Sequence, residues 1–82
     1  MIVTKDKIYI LDCHTAQQIF VFDKTGNLLF RIKNKGRGPK EYLSVADMQV
    51  DTIRNEILVN DALARSYLYF STDDGTFLRR EK

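Results

Sequence analysis

The chain has no tryptophan, one cysteine (Cys13), one histidine (His14), one proline (Pro39) and four glycines among its 82 residues. A lone cysteine excludes an internal disulfide framework, although exported proteins can also lack disulfides, so redox compartment stays open. The same scarcity leaves Cys13 and His14 short of the usual ligand count of a zinc site. Strong charge of one sign is also missing: 13 basic and 11 acidic residues, scattered along the chain, give a net charge of +2. That balance argues against a general nucleic-acid binder. No apolar run reaches the roughly 18–20 residues that span a bilayer, and residues 1–7 have no signal-peptide apolar region.

What is present is an ordinary globular composition, 44% hydrophobic and 29% charged, which calls for a core rather than disorder. A chain of this length is at most one small domain and buries only about 60% of its unfolded surface, so its stability is marginal without help. The most informative feature is internal. A shift of 49 positions sets Lys7-Ile-Tyr-Ile-Leu-Asp12 on Glu56-Ile-Leu-Val-Asn-Asp61 and matches Gly26 to Gly75, Leu29 to Leu78 and Arg31 to Arg80 without a gap. It also sets Ile19 on Leu68 and Val21 on Phe70. Self-similarity at this period marks repeat architectures, and propeller blades run at roughly 40–50 residues.

The apolar segments are short, rich in β-branched and aromatic residues, and bounded by turn formers, which predicts strands. They fall at 7–12, 18–23 and 28–33 in the first unit, and at 45–50, 56–60, 66–71 and 76–80 in the second. Seven strands are expected where two full four-stranded blades would have eight, the missing one being the first inner strand. Gly26 and Gly75 stand where short hairpin loops need positive φ. The runs Ile8–Leu11 and Ile19–Phe22 are continuously apolar rather than alternating, so both faces of these strands should be covered, as in a blade held between two neighbours. The expected fold class is therefore all-β: about two antiparallel propeller blade units, with residues 1–35 as the first unit, 36–44 as an interblade crossover and 45–82 as the second.

With these segments and the run Gly36-Arg37-Gly38-Pro39-Lys40-Glu41-Tyr42, the chain resembles bacterial six-bladed β-propellers related to NHL repeats. In that family the Gly-x-Gly-Pro-x-Glu-Tyr segment looks like the crossover from the outer strand of one blade to the inner strand of the next. The resemblance implies an exported, periplasmic or cell-surface protein that binds something. Six blades at this period need roughly 290 residues, so the chain reads as a fragment or a building block. Two blades alone would leave an apolar face on each side, which soluble monomers rarely expose. Self-association is the expected remedy, by edge-strand exchange or by blade stacking, with three chains closing a ring as one solution.

Several side-chain groups could carry chemistry, and each also has a plainer reading. Arg31, Lys33, Lys35, Arg37 and Lys40 form a basic run without an acid; it could contact an anion or acidic polymer, but also suits a solvated edge and loop. Gly36 and Gly38 could form a backbone anion nest, although the Gly-Lys-Ser/Thr ending and following helix of a P-loop are missing. Cys13 and His14 are sequence neighbours, and adjacent strand residues point to opposite faces, which disfavours a nucleophilic pair. Asp12 and Asp61 recur at equivalent strand ends and read as turn-capping carboxylates rather than metal ligands. Asp73-Asp74 lacks the spacing of a calcium-binding EF-hand and reads as a turn. Tyr67, Tyr69 and Phe70 read as alternating strand residues aimed at the two neighbouring blades rather than as a stacking platform.

The expected structural motif comprises Asp12, Gly26, Gly36, Gly38, Pro39, Glu41, Tyr42, Asp61 and Gly75. No catalytic, metal or cofactor residue is expected. The functional expectation is a noncatalytic binding or scaffold propeller module with a protein or glycan ligand. The alternative is a fragment of a metal-dependent propeller hydrolase or lyase whose active-site residues lie elsewhere.

Overall fold

A computed structural model describes residues 1–12 and 17–82. The described residues form eight strands: β1 (Ile2–Val3), β2 (Lys7–Asp12), β3 (Gln18–Asp23), β4 (Leu28–Ile32), β5 (Val45–Asp51), β6 (Glu56–Asp61), β7 (Ser66–Ser71) and β8 (Phe77–Glu81). They make two four-stranded antiparallel meanders, β1-β2-β3-β4 and β5-β6-β7-β8, and no described helix is long and apolar enough to cross a membrane. Cys13 and His14 lie outside the described residues.

The strand count corrects the expected seven. Val3 pairs with Ile8, five residues on, whereas Val50 pairs with Ile57, seven residues on. The first inner turn is thus two residues tighter, and Ile2 and Val3 reach the ladder. Thr4 closes that turn, its N–H donating to the Lys7 carbonyl (2.9 Å) while its hydroxyl accepts the Lys7 N–H (3.2 Å).

The gapless 49-residue match also fails at one strand. Ile8 faces Phe22 and Ile10 faces Phe20, while Ile57 faces Phe70 and Val59 faces Leu68. Phe22 therefore corresponds to Phe70, and Phe20 to Leu68, one residue off the ungapped shift. The cause is the connection before the strand: five residues separate Asp12 from Gln18, but four separate Asp61 from Ser66. Such a slip decides which side chains face the core, because strand residues alternate between faces. The outer strands return to register, with Arg31 opposite Phe20 and Arg80 opposite Leu68.

Each blade consequently has two faces of distinct make-up. The first blade turns Tyr9, Leu11, Ile19, Val21, Phe30 and Ile32 toward the second, which answers with Ile57, Val59, Leu68, Phe70 and Phe77. Tyr42, Val45 and Met48 complete this single core, and each fully buried aliphatic or aromatic side chain there contributes roughly 1.5–3 kcal/mol. Contact is close at the outer edge: a Cβ added at Gly75 would lie 2.8 Å from Phe30 Cδ1 and 3.3 Å from Ile32 Cγ1.

The outward face of the first blade carries Ile8, Ile10, Phe20, Phe22 and Leu28, with Leu28 52% exposed and the two phenylalanine rings stacked at 6.4 Å. Only one face of these apolar strands is packed within the described chain. The outward face of the second blade differs from the apolar surface expected there. It presents Leu58, Asn60, Tyr67, Tyr69, Arg79 and Glu81, and Arg79 forks onto Glu56 (2.7 and 3.0 Å) above the Tyr69 ring at 3.9 Å.

Candidate functional site

The crossover, residues 33–44, runs from the end of β4 to the start of β5. Its Gly-x-Gly-Pro-x-Glu-Tyr motif has a local cause. Glu41 folds back beneath the two glycines, and its carboxylate accepts the Gly38 N–H at 2.8 Å. A Cβ on Gly36 would meet the Glu41 carboxylate at 2.6 Å, and one on Gly38 would meet Glu41 Oε1 at 2.7 Å. The glycines thus make room for an internal carboxylate, and an anion arriving from solution would have to displace Glu41 from the Gly38 N–H. The Gly36 N–H donates to the Tyr42 carbonyl (3.0 Å) and the Glu41 N–H to that of Gly38 (3.1 Å). Pro39 is exposed at the bend.

Tyr42 is fully buried and fastens three segments. Its hydroxyl donates to the Gln17 carbonyl, accepts the Asn34 N–H at 3.3 Å, and lies 3.4 Å from the Ile32 carbonyl. Burial raises the phenol above its ordinary pKa, with the Asn34 N–H pulling the other way. Asp61, also fully buried, accepts the N–H groups of Leu43 (2.8 Å), Ser44 (3.1 Å) and Ala64 (3.2 Å). It therefore anchors the entry to β5 and closes the β6–β7 turn. Asp12 ends β2 opposite Gln18 and is part-buried.

The outer hairpins behave as their glycines predict, with φ of 93° at Gly26 and 79° at Gly75. Asp23 Oδ1 accepts the Thr25 hydroxyl and N–H and the Asn27 N–H, bonds that lower its pKa, the Thr25 hydroxyl foremost. Asp74 plays the same part for Thr76.

The five basic residues Arg31, Lys33, Lys35, Arg37 and Lys40 are all exposed, and among the described residues the ion pairs belong to Arg79. Arg31 stands on β4, whereas Lys33, Lys35, Arg37 and Lys40 follow along the crossover.

Two residues were not singled out by the sequence. Gln17, in a loop at φ 49°, receives the Tyr42 hydroxyl and accepts the Val45 N–H at 3.1 Å; no motif announces it. Arg80 donates to the Ser66 hydroxyl at 3.0 Å and to the Glu41 carbonyl, tying β8 to the crossover. Its match to Arg31 in the repeat was the available signal.

Two clefts open at opposite ends of the blades. One of about 430 Å³ lies beside the crossover, between Arg37, Glu41, Leu43, Leu63 and Arg80. The other, about 490 Å³, lies between the inner turns and is bordered by Lys5, Asp6, Thr52 and Asn55. Among the described residues no three His, Cys, Asp or Glu side chains converge as a metal cluster would.

Two stacked antiparallel meanders joined by such a crossover define a section of a β-propeller. The family model described as "6-bladed beta-propeller" matches residues 1–82, and the chain belongs to that family. Among solved structures it is similar to a "Putative exported protein" from Bacteroides fragilis NCTC 9343, with 30% identity and a TM-score of 0.75. That match covers 95% of this chain and 22% of the other. The chain thus spans about a fifth of that relative's length. A search of the curated proteins finds no match.

Proposed function

We propose that the chain is a section of a noncatalytic binding or scaffold propeller acting outside the cytoplasm, with a protein or glycan as its ligand. The observation that carries this reading is where the polar chemistry goes. Glu41, Tyr42, Asp61, Gln17 and Arg80 each bond to backbone groups of this chain. They hold the loops between strands in place, and rigid loops at the ends of a scaffold are where propellers and other repeat folds make contacts. The exported character given to the Bacteroides fragilis relative supports the location. The exposed basic residues of the crossover would supply contacts to an acidic group on the ligand.

The test is elemental analysis of the purified chain together with glycan-array and surface-protein retention assays. Retention of a glycan or protein, weakened by Arg37→Ala or Lys40→Ala and without stoichiometric metal, is the expected result. Tight stoichiometric calcium or zinc with hydrolase or lyase activity would overturn it in favour of a propeller enzyme fragment.

A further inference from the structure

The two outward faces differ in a way that identifies the partner of one of them. By ladder position, Ile8, Ile10, Phe20, Phe22, Leu28 and Arg31 on the first blade correspond to Ile57, Val59, Leu68, Phe70, Phe77 and Arg80 on the second. The second set is the face that the first blade covers, and Val59, for example, is fully buried there while Ile10 is 38% exposed. Five apolar positions and one arginine recur in the same places. Arg80 uses its position to donate to the carbonyl of Glu41 in the crossover that enters its own blade. Arg31 has the same register and lies exposed.

We infer that the outward face of the first blade is a docking surface for another blade, and that Arg31 is its anchor for a backbone carbonyl of that blade's glycine-rich crossover. The partner presents an apolar face like Tyr9, Leu11, Ile19, Val21, Phe30 and Ile32, followed by a Gly-x-Gly-x-x-Glu type connection. This rests on the chain being a propeller section but not on what the propeller binds. A second copy of this chain does not supply such a face. Its first blade already spends that face on its own second blade, and the outward face of its second blade places Asn60, Tyr67, Tyr69, Arg79 and Glu81 at those positions. Stacking it on Phe20 and Phe22 would complete the desolvation of the Arg79–Glu56 pair, whose arginine is still partly in solvent, and that cost opposes the contact. A ring of three chains is therefore disfavoured.

The inner edge agrees. Strand β1 pairs only with Ile8 and Tyr9, whereas β5 pairs along the whole of β6 from Glu56 to Asp61. Continuing the register puts Met1 opposite Ile10, the place Met48 holds opposite Val59.

This register supplies the experiment. Fusing a copy of residues 1–47 directly ahead of Met1 completes the inner strand as Val45-Ala46-Asp47-Met1-Ile2-Val3 and delivers a crossover to Arg31. Amide exchange at Phe20 and Phe22 is compared in the fused and original chains, together with sedimentation of the original. Exchange at least about tenfold slower in the fused chain is expected, as local opening becomes rarer. Arg31→Ala in the original copy should reverse part of that gain while leaving the 82-residue chain unchanged. No gain on fusion, an equal effect of Arg31→Ala in both chains, or a defined trimer of the original chain would each overturn the inference.

Discussion

Replacing Gly36 by alanine should act through Glu41 rather than through the backbone. The added Cβ would fall 2.6 Å from Cδ and both carboxylate oxygens of Glu41, a separation that real contacts do not tolerate. The carboxylate is the far end of a flexible side chain and would swing out, losing its 2.8 Å bond from the Gly38 N–H. A hydrogen bond to a charged group is worth about 1.5–3 kcal/mol, and in this part-buried loop about 1–2 kcal/mol is expected after solvent screening. Glu41→Ala removes the same bond directly and should cost a similar amount. With Glu41 already gone, Gly36→Ala meets nothing, so the double variant should be about as stable as either single one. The resulting coupling is about 1–2 kcal/mol in a double-mutant cycle from urea unfolding, read at unchanged slope. Additivity within about 0.5 kcal/mol would refute the account of the motif.

Gly26→Ala and Gly75→Ala share the strain of positive φ, but only Gly75 has neighbours, with nothing within 4 Å of a Cβ added at Gly26. Each should destabilise by about 1 kcal/mol from backbone strain, and Gly75→Ala should cost clearly more by pushing on Phe30, as thermal melts of the pair would show. Tyr42→Phe leaves the Asn34 N–H and the Gln17 carbonyl without their partner and should cost about 1–3 kcal/mol at neutral pH. Because the folded phenol titrates above its ordinary value of 10.0, its share of stability is present below pH 10 and is lost as pH rises toward the folded value. Alkaline unfolding of the parent should therefore be steeper than that of Tyr42→Phe. Asp61→Ala strips an acceptor from three N–H groups and should cost about 3 kcal/mol or more, enough to leave the purified chain largely unfolded by circular dichroism.

Strand positions were legible because both the β-branched and aromatic runs and the turn residues pointed to the same boundaries. The crossover was legible as a unit for the same reason: Gly36, Gly38, Glu41 and Tyr42 fit one another within seven residues. What the sequence hid were loop lengths. One extra residue before Gln18 moved Phe20 and Phe22, rather than Ile19 and Val21, to the face matched by Leu68 and Phe70, and a tighter turn at Thr4 rescued a strand. Neither change alters composition or periodicity. Gln17 and Arg80 were hidden because their roles depend on partners 28 and 39 residues away.

The central claim is that the two meanders pack face to face as consecutive blades rather than forming two independent sheets. Nuclear Overhauser contacts between the Phe30 ring and the Gly75 α protons test it directly, since those groups meet only across the blade interface. The account predicts strong cross-peaks between them alongside the strand-to-strand peaks within each meander. Intact strand-to-strand peaks with no contact between Phe30 and Gly75 would contradict it.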